Sequence, residues 1–105
     1  MILRHWKGIA KVEEAANYIH HLTTETFPQL STIQGFIEAT ISKRNVEQGV
    51  EFLVISIWES LESIKQFAGD DVNTAVVPSN VQAMMVDFDR FVTHYEIAGT
   101  YPNTK

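Results

Sequence analysis

The spacing of apolar residues changes along the first third of the chain. Residues 2–7 alternate only partly between apolar and polar side chains, and this pattern predicts a first strand. Residues 12–27 instead repeat apolar side chains at steps of three and four, which predicts an amphipathic helix. Pro28 follows directly and is expected to end that helix. The chain is therefore predicted to begin with a strand and a helix.

Two strands joined by a short turn are predicted next. Residues 33–44 and 50–59 are rich in β-branched and aromatic side chains, and the polar segment 45–49 ends in glycine. This combination favours a β-hairpin. The second of these strands is almost wholly apolar, so both of its faces are expected to be covered. Helices would cover one face, and a partner subunit would provide a second sheet for the other.

The last third predicts two short helices and a final strand. Ser60 is a favourable N-cap for a helix that Gly69 is placed to end. Residues 70–77 are interpreted as one more helical turn, and residues 79–85 as a last short helix capped by Ser79. Alternation returns in residues 89–97 and predicts the last strand.

The predicted order is strand, helix, strand, strand, helix, strand, which is the β-α-β-β-α-β order of ferredoxin-like α+β domains. Four strands would form one antiparallel sheet with both helices on one face. The other face keeps apolar side chains, and a two-fold dimer is the commonest way to cover such a patch. We therefore predict one domain over residues 1–105, with 101–105 as a C-terminal tail, that assembles as a homodimer.

Composition narrows the classes of partner. The net charge is −5, and the eight Lys and Arg residues are scattered. Nucleic-acid-binding domains usually carry a basic stripe, and anionic membranes attract basic clusters, so neither partner is expected. The absence of cysteine excludes disulfides and thiolate metal sites. No apolar run approaches the ~20 residues of a membrane span, and no signal peptide is recognisable, so the cytoplasm is the expected location.

Four side chains are candidates for lining a small-molecule pocket. Arg4 is suited to orient an anionic or phenolate oxygen, with an ion pair at the dimer interface as the alternative. Trp6 shares the face of Arg4 and would line either the pocket or the dimer seam. Tyr18 is expected at the pocket edge. Trp58 would stack on a flat ligand or, alternatively, fill the core as a buried aromatic residue.

The four histidines give one candidate for catalysis. His94 in the last strand can titrate near neutral pH and accept a proton, or it can simply form a hydrogen bond within the fold. His5 lies on the first strand, and the sequence leaves open whether the two share a face. No third ligand is evident, so no metal site is predicted. His20 and His21 point about 100° apart on the helix and are interpreted as a solvated surface.

These features together resemble the antibiotic biosynthesis monooxygenase superfamily of dimeric α/β barrels. The resemblance covers nearly the whole chain. The segments that carry it are Arg4-His5-Trp6, Ile33-Gln34-Gly35-Phe36, Phe52 to Ser60, Ile64 to Asp71 and Phe88 to Glu96. It implies a pocket between the helices and the concave face of the sheet, with Trp58 at the place of a tryptophan that recurs at the end of the third strand.

The resemblance also implies an activity. It suggests a monooxygenase that acts on a flat phenol, hydroquinone or polycyclic molecule. A base such as His94 would deprotonate the substrate, which would then react directly with oxygen. No metal or flavin is needed for that route, so no cofactor is expected. The alternative is a non-catalytic protein that binds or senses a small molecule in the same pocket.

Haem degradation is a third possibility that the resemblance raises. In that branch a histidine ligates the iron about nineteen residues after the tryptophan, and this chain has Val77 there. Haem binding in that manner is therefore disfavoured.

Overall fold

An antiparallel sheet of five strands forms one layer of the molecule, and short helices form the other. The computed structural model describes residues 1–102. The strands lie in the spatial order β2, β3, β1, with β4 and β5 both beside β1. Their bounds are Ile2–Ala10 for β1, Phe36–Val46 for β2, Gly49–Trp58 for β3, Met85–Phe88 for β4 and Thr93–Glu96 for β5. This arrangement confirms the predicted ferredoxin-like α+β fold.

The fourth position of the sheet is divided between two strands. β4 pairs with β1 from Gly8 to Ala10, and β5 pairs with β1 from Ile2 to His5. Between them the carboxylate of Asp89 accepts a hydrogen bond from the backbone N–H of Lys7 at 3.1 Å. The side chain thus takes a donor that would otherwise bind a strand carbonyl, and it interrupts the ladder. The predicted strand 89–97 is therefore shorter, and Met85 begins a strand instead of ending a helix.

The first helical segment continues past the proline that was predicted to end it. It comprises a 3₁₀ turn, helix α1, a π-helical turn and helix α2, whose bounds are Val12–Glu14, Ala15–His21, Leu22–Thr26 and Phe27–Leu30. Pro28 lies in the first turn of α2. Proline is tolerated there because first-turn N–H groups have no acceptor within their own helix. The prediction that the helix ends at Pro28 is therefore wrong.

Helix α3, Leu61–Ala68, begins and ends as predicted. Ser60 caps its N-terminus by accepting a hydrogen bond from the N–H of Ser63, and Gly69 follows with a positive φ of 83°. Helix α4 spans Ser79–Met84, but its N-cap is Pro78, without a side-chain hydrogen bond, so the cap predicted at Ser79 is wrong.

Residues 70–77 contain no helix, which corrects the helical turn predicted there. The backbone of this segment instead pairs with the chain that connects β4 and β5. The N–H of Ala75 donates to the carbonyl of Arg90 at 2.9 Å, and the N–H of Val92 donates to that of Asn73 at 2.8 Å. These bonds hold the 70–77 segment beside the edge of the sheet.

Alternate residues of β1 and β3 form the core with the helices. Two buried clusters lie on this inner face of the sheet, one around Trp6, Tyr18 and Phe52 and the other around Trp58 and Ile64. Burial is the driving term, since each large apolar side chain contributes about 1.5–3 kcal/mol when it leaves water. The inner face therefore carries the cavity described below.

The opposite face of the sheet is apolar and only half-buried. Its central positions include Leu3, Leu53, Ile55 and Ile57. His5 also lies on this outer face, where its ring meets that of Tyr95 edge-on with centroids 6.5 Å apart. This face is the one that the sequence predicted to be covered by a partner subunit.

Two further predictions concern a membrane-spanning helix and the C-terminal tail. Within residues 1–102, no helix is both long and apolar enough to cross a membrane. Tyr101 and Pro102, the start of the predicted tail, are exposed and belong to no helix or strand. Residues 103–105 of that tail lie outside the described residues, and the assignment of one domain to residues 1–105 stays a prediction.

Candidate functional site

A cavity of about 80 Å³ lies between the inner face of the sheet and the helices. Its lining is mainly apolar and includes members of both core clusters. A second space of about 280 Å³ shares five of its lining residues and forms a wider mouth. The lining of the inner cavity consists of Arg4, Trp6, Tyr18, His21, Leu22, Thr26, Phe27, Leu30, Val54, Ser56, Phe67, Val76, Val77, Pro78, Val81 and Val92.

Arg4 supplies the positive charge of this cavity. Its side chain is buried, with 5% of its surface exposed, because β1 directs it toward the helices. Nη1 donates to the carbonyl of Val72 at 2.6 Å, and Nη2 donates to that of Thr74 at 3.3 Å. Burial lowers the pKa of Arg4 to about 10, so the guanidinium remains charged at neutral pH. The sequence prediction that Arg4 lines a pocket agrees with this position.

His94 lies beside Arg4 and outside the cavity lining. The two residues are paired across β1 and β5, and Nη1 of Arg4 is 2.9 Å from Nε2 of His94. Because the guanidinium has only donors, Nε2 must accept, and the histidine proton is assigned to Nδ1. Burial and then the charge of Arg4 lower the pKa of His94. The predicted base thus has its Nε2 lone pair engaged by an arginine and lies outside the cavity wall.

Trp58 lies one layer behind the cavity wall. It is completely buried, and its indole N–H donates to Oγ of Ser56 at 2.8 Å. Its ring stacks on Phe67 with centroids 6.4 Å apart and an interplanar angle of 22°. Both neighbours line the cavity, and Trp58 itself does not. Its position fits the buried-core alternative, and the proposed stacking of Trp58 on a ligand has no support in this arrangement.

Trp6 and Tyr18 form an aromatic part of the cavity wall. The Trp6 indole N–H donates to the carbonyl of Asp89 at 2.8 Å, which fixes the ring on the floor of the site. Tyr18 packs edge-on against Phe52 with centroids 4.9 Å apart. Burial raises the pKa of Tyr18, so its phenol stays protonated at neutral pH. Both residues line the cavity, which for Trp6 is one of the two places that the sequence left open.

His21 lies at the cavity, a position that the helical pattern of the sequence did not indicate. Its side chain is 11% exposed and lines both the inner cavity and the mouth. Nδ1 is 2.7 Å from Oε2 of Glu25, one turn later on the same helical segment. This contact is a close approach without hydrogen-bond geometry, so within residues 1–102 Nδ1 is a buried atom that has no hydrogen-bond partner. The predicted solvated surface is correct for the exposed His20 and wrong for His21.

His5 and His94 lie on opposite faces of the sheet. His5 is paired with Thr93 in the sheet, whereas His94 is paired with Arg4, so the two rings do not form one polar cluster. Among residues 1–102, no three His, Cys, Asp or Glu side chains are grouped to hold a metal ion. Val77 stands at the position where the haem-degrading branch would have its iron-ligating histidine. It lines the cavity with an aliphatic side chain.

Comparison with solved structures identifies the fold. A candidate antibiotic biosynthesis monooxygenase from Bacillus cereus superposes with a TM-score of 0.69 at 16% identity, over 99% of this chain and 97% of the other. A monooxygenase from Streptomyces coelicolor, in complex with the ligand nanaomycin D, gives 0.69 at 13% identity, over 98% and 92%. A dimeric ferredoxin-like protein from an uncultured marine organism gives 0.61 at 16% identity, over 97% and 98%.

No family model and no curated protein matches the chain. At identities of 13–17% the structural likeness establishes the fold and leaves the reaction open. The chain therefore resembles the antibiotic biosynthesis monooxygenases in the fold of nearly its whole length, as its sequence predicted.

Proposed function

We propose that this protein is a monooxygenase that converts a flat phenolic, hydroquinone or polycyclic molecule to a quinone. The observation that carries the proposal is the His21 imidazole at a narrow cavity otherwise walled mainly by aromatic and aliphatic side chains. Such a cavity suits a flat apolar ring, and the imidazole supplies a ring nitrogen that can accept a proton. The likeness to a monooxygenase that holds nanaomycin D supports the same class of ligand.

The proposed reaction begins with proton transfer from the phenol O–H to the imidazole of His21. The resulting phenolate has excess electron density on its para carbon, which gives one electron to oxygen. A bond then forms between that carbon and one oxygen atom, and the peroxide takes the proton back from His21. The hydroperoxide produced loses water to leave a carbonyl. One atom of oxygen enters the quinone and the other leaves as water, so the reaction balances with phenol and oxygen as the only reactants.

The protein contributes position and environment in this proposal. Trp6 and Tyr18 hold the ring, and the apolar wall excludes water from the anion. The carboxylate of Glu25 lies 2.7 Å from Nδ1 of His21 at the mouth of the cavity. His94, first predicted as the base, and Trp58, first predicted as a stacking residue, are instead assigned to hold Arg4 and the cavity wall in place.

A homodimer is part of the same proposal. The half-buried apolar residues of the outer sheet face would be covered by the same face of a second subunit, and a neighbour of this fold is described as dimeric. The predicted cytoplasmic location and the predicted lack of nucleic-acid and membrane partners stay predictions.

Oxygen uptake by the purified protein with a panel of polycyclic phenols and hydroquinones tests the proposal. His20→Ala is the matched control for His21→Ala, since the two histidines are adjacent and only His21 lines the cavity. We expect His21→Ala to lower the rate by about 10²–10⁴-fold, the usual contribution of a general base. Equal rates in the two variants would remove His21 from the mechanism.

The second candidate function is binding or sensing without turnover. The small and mainly apolar cavity favours it over haem degradation, because Val77 offers no iron ligand. Ligand binding without any protein-dependent oxygen uptake would replace the monooxygenase with this alternative.

A further inference from the structure

The charge of Arg4 has no carboxylate partner among residues 1–102. The ion pairs of this part of the chain join Lys7 and Arg44 to Glu51, His21 to Glu25 and Lys65 to Glu62. Yet Arg4 is as buried as the core residues around it. Buried arginines are normally paired with an anion, because an isolated charge loses its hydration on burial.

The hydrogen bonds of Arg4 leave two donors free. A guanidinium has five N–H groups. Three are used, by the carbonyls of Val72 and Thr74 and by Nε2 of His94. All three acceptors are neutral, since a protonated His94 could not accept. The Nε–H and one N–H of Nη2 therefore have no acceptor within residues 1–102, and they belong to a residue that lines the cavity.

Ser56 places a second polar group beside this arginine. It is the partner of Arg4 in the pairing of β1 with β3, and it also lines the cavity. Its Oγ accepts the Trp58 indole N–H, so its own hydroxyl hydrogen remains available to donate. The neighbouring wall is apolar, with Phe67 under the guanidinium at 5.9 Å. The cavity thus has one end rich in donors and an apolar body.

We propose that the ligand of this cavity is a flat aromatic carboxylic acid whose carboxylate binds the free N–H groups of Arg4 and the hydroxyl of Ser56. This inference rests on the proposed function and names its substrate class. A carboxylate matches the planar guanidinium with two parallel hydrogen bonds. It is also ionised before it binds, so it compensates the Arg4 charge without a proton transfer.

Affinity for matched ligands tests the inference. Calorimetry would compare 1- and 2-naphthoate with the corresponding neutral naphthamides, and with 2-naphthol, at neutral pH. We expect the acids to bind about 10–100-fold more tightly than the amides, as for hydrogen bonds to a charged group. Arg4→Met should abolish this preference, and Arg44→Met, on the exposed edge strand β2, should keep it.

Because Arg4 also holds residues 72 and 74, its removal can impair folding, so Ser56→Ala provides a second variant. It should reduce the preference for acid over amide by a few-fold. Equal binding of acid and amide, no binding of either acid up to millimolar concentration, or tighter binding of 2-naphthol than of the acids would overturn the inference.

Oxygen uptake separates this inference from the proposed function. Preferential binding of acids without uptake of oxygen in the presence of any phenolic acid would leave the carboxylate site standing and remove the monooxygenase. Oxidation of neutral phenols, with no preference for acids, would support the monooxygenase and overturn the carboxylate site.

Discussion

His94 accepts a hydrogen bond from Arg4 across the β1–β5 pair, with 2.9 Å between Nε2 and Nη1. This contact orients the one arginine among the described residues that line the inner cavity. A histidine that accepts from an arginine cannot take a substrate proton on the same atom. The pair therefore places His94 in the hydrogen-bonding role that the sequence offered as the alternative to catalysis.

Lowering the pH should decrease the free energy of unfolding, because His94 takes up a proton more easily in the unfolded chain. Burial and the Arg4 charge lower its pKa in the folded protein relative to the ordinary value of 6.5. The unfolded chain then binds the proton more readily than the folded protein. The contribution of neutral His94 to the free energy of unfolding is therefore complete above pH 6.5, and it is lost as the pH falls through the lowered pKa of the folded state. His94→Gln keeps an acceptor for Arg4 without titrating. Urea unfolding from pH 8 to 5 should show a smaller loss of stability in His94→Gln than in the wild type, and parallel profiles would contradict the assignment.

Trp58→Phe should affect stability more than ligand affinity. The substitution removes the donor to Ser56 and part of a completely buried ring, which we expect to lower the free energy of unfolding by about 1–3 kcal/mol. A double-mutant cycle with Ser56→Ala isolates the hydrogen bond and should give a coupling of about 1 kcal/mol. Ligand affinity should change by less than about three-fold relative to the wild type, because Trp58 does not line the cavity. A selective loss of affinity in Trp58→Phe would instead restore the stacking role.

Gly35→Ala, in the turn before β2, should destabilise the fold more than Gly69→Ala at the C-terminal end of α3. Gly35 has a φ of 96°, and an added Cβ would lie 2.7 Å from Cβ of Ser63. We expect a loss of more than about 2 kcal/mol. Gly69 has a φ of 83° but no atom within 4 Å, so Gly69→Ala should cost about 1 kcal/mol. Gly99→Ala, with open space and no positive φ, is the neutral control in thermal unfolding.

A charge on the outer sheet face should separate the proposed dimer. Ile55→Lys places an ammonium group at the centre of the half-buried apolar face, where a partner subunit would bury it. Light scattering should then show half the wild-type mass at micromolar concentration. Glu47→Lys, in the exposed β2–β3 turn, adds the same group elsewhere and should keep the dimer. A wild-type protein that is already monomeric would refute the homodimer.

The fold was predictable because its signals are local. The apolar character of β3 and the cap at Ser60 lie in contiguous residues, and the structure confirms both elements. The predicted strand 89–97 was less accurate because its interruption depends on Asp89 reaching the backbone of Lys7, eighty-two positions away. Contacts of this kind leave no pattern in the neighbouring sequence.

The site was predictable only in part, for a related reason. Alternation placed Arg4 and Trp6 on one face correctly, and both line the cavity. His21 was missed because two adjacent histidines look alike in a helical pattern, although only one of them faces the sheet layer. The sequence left two roles open for His94, because its contact with Arg4 joins residues ninety positions apart. Residue type gives the available chemistry, and tertiary contacts decide how it is used.

The π-helical turn Leu22–Thr26 sets the rotational phase of the helical segment. A π turn contains one more residue than an α turn, so it rotates the next helical residues by about 100° relative to a continuous α-helix. His21 precedes the turn and Phe27 comes after it, yet both reach the same cavity. Deletion of one residue here would close the turn to regular α-helix and send one of the two side chains away from the ligand. The cavity wall therefore depends on a local count of residues as much as on their identity.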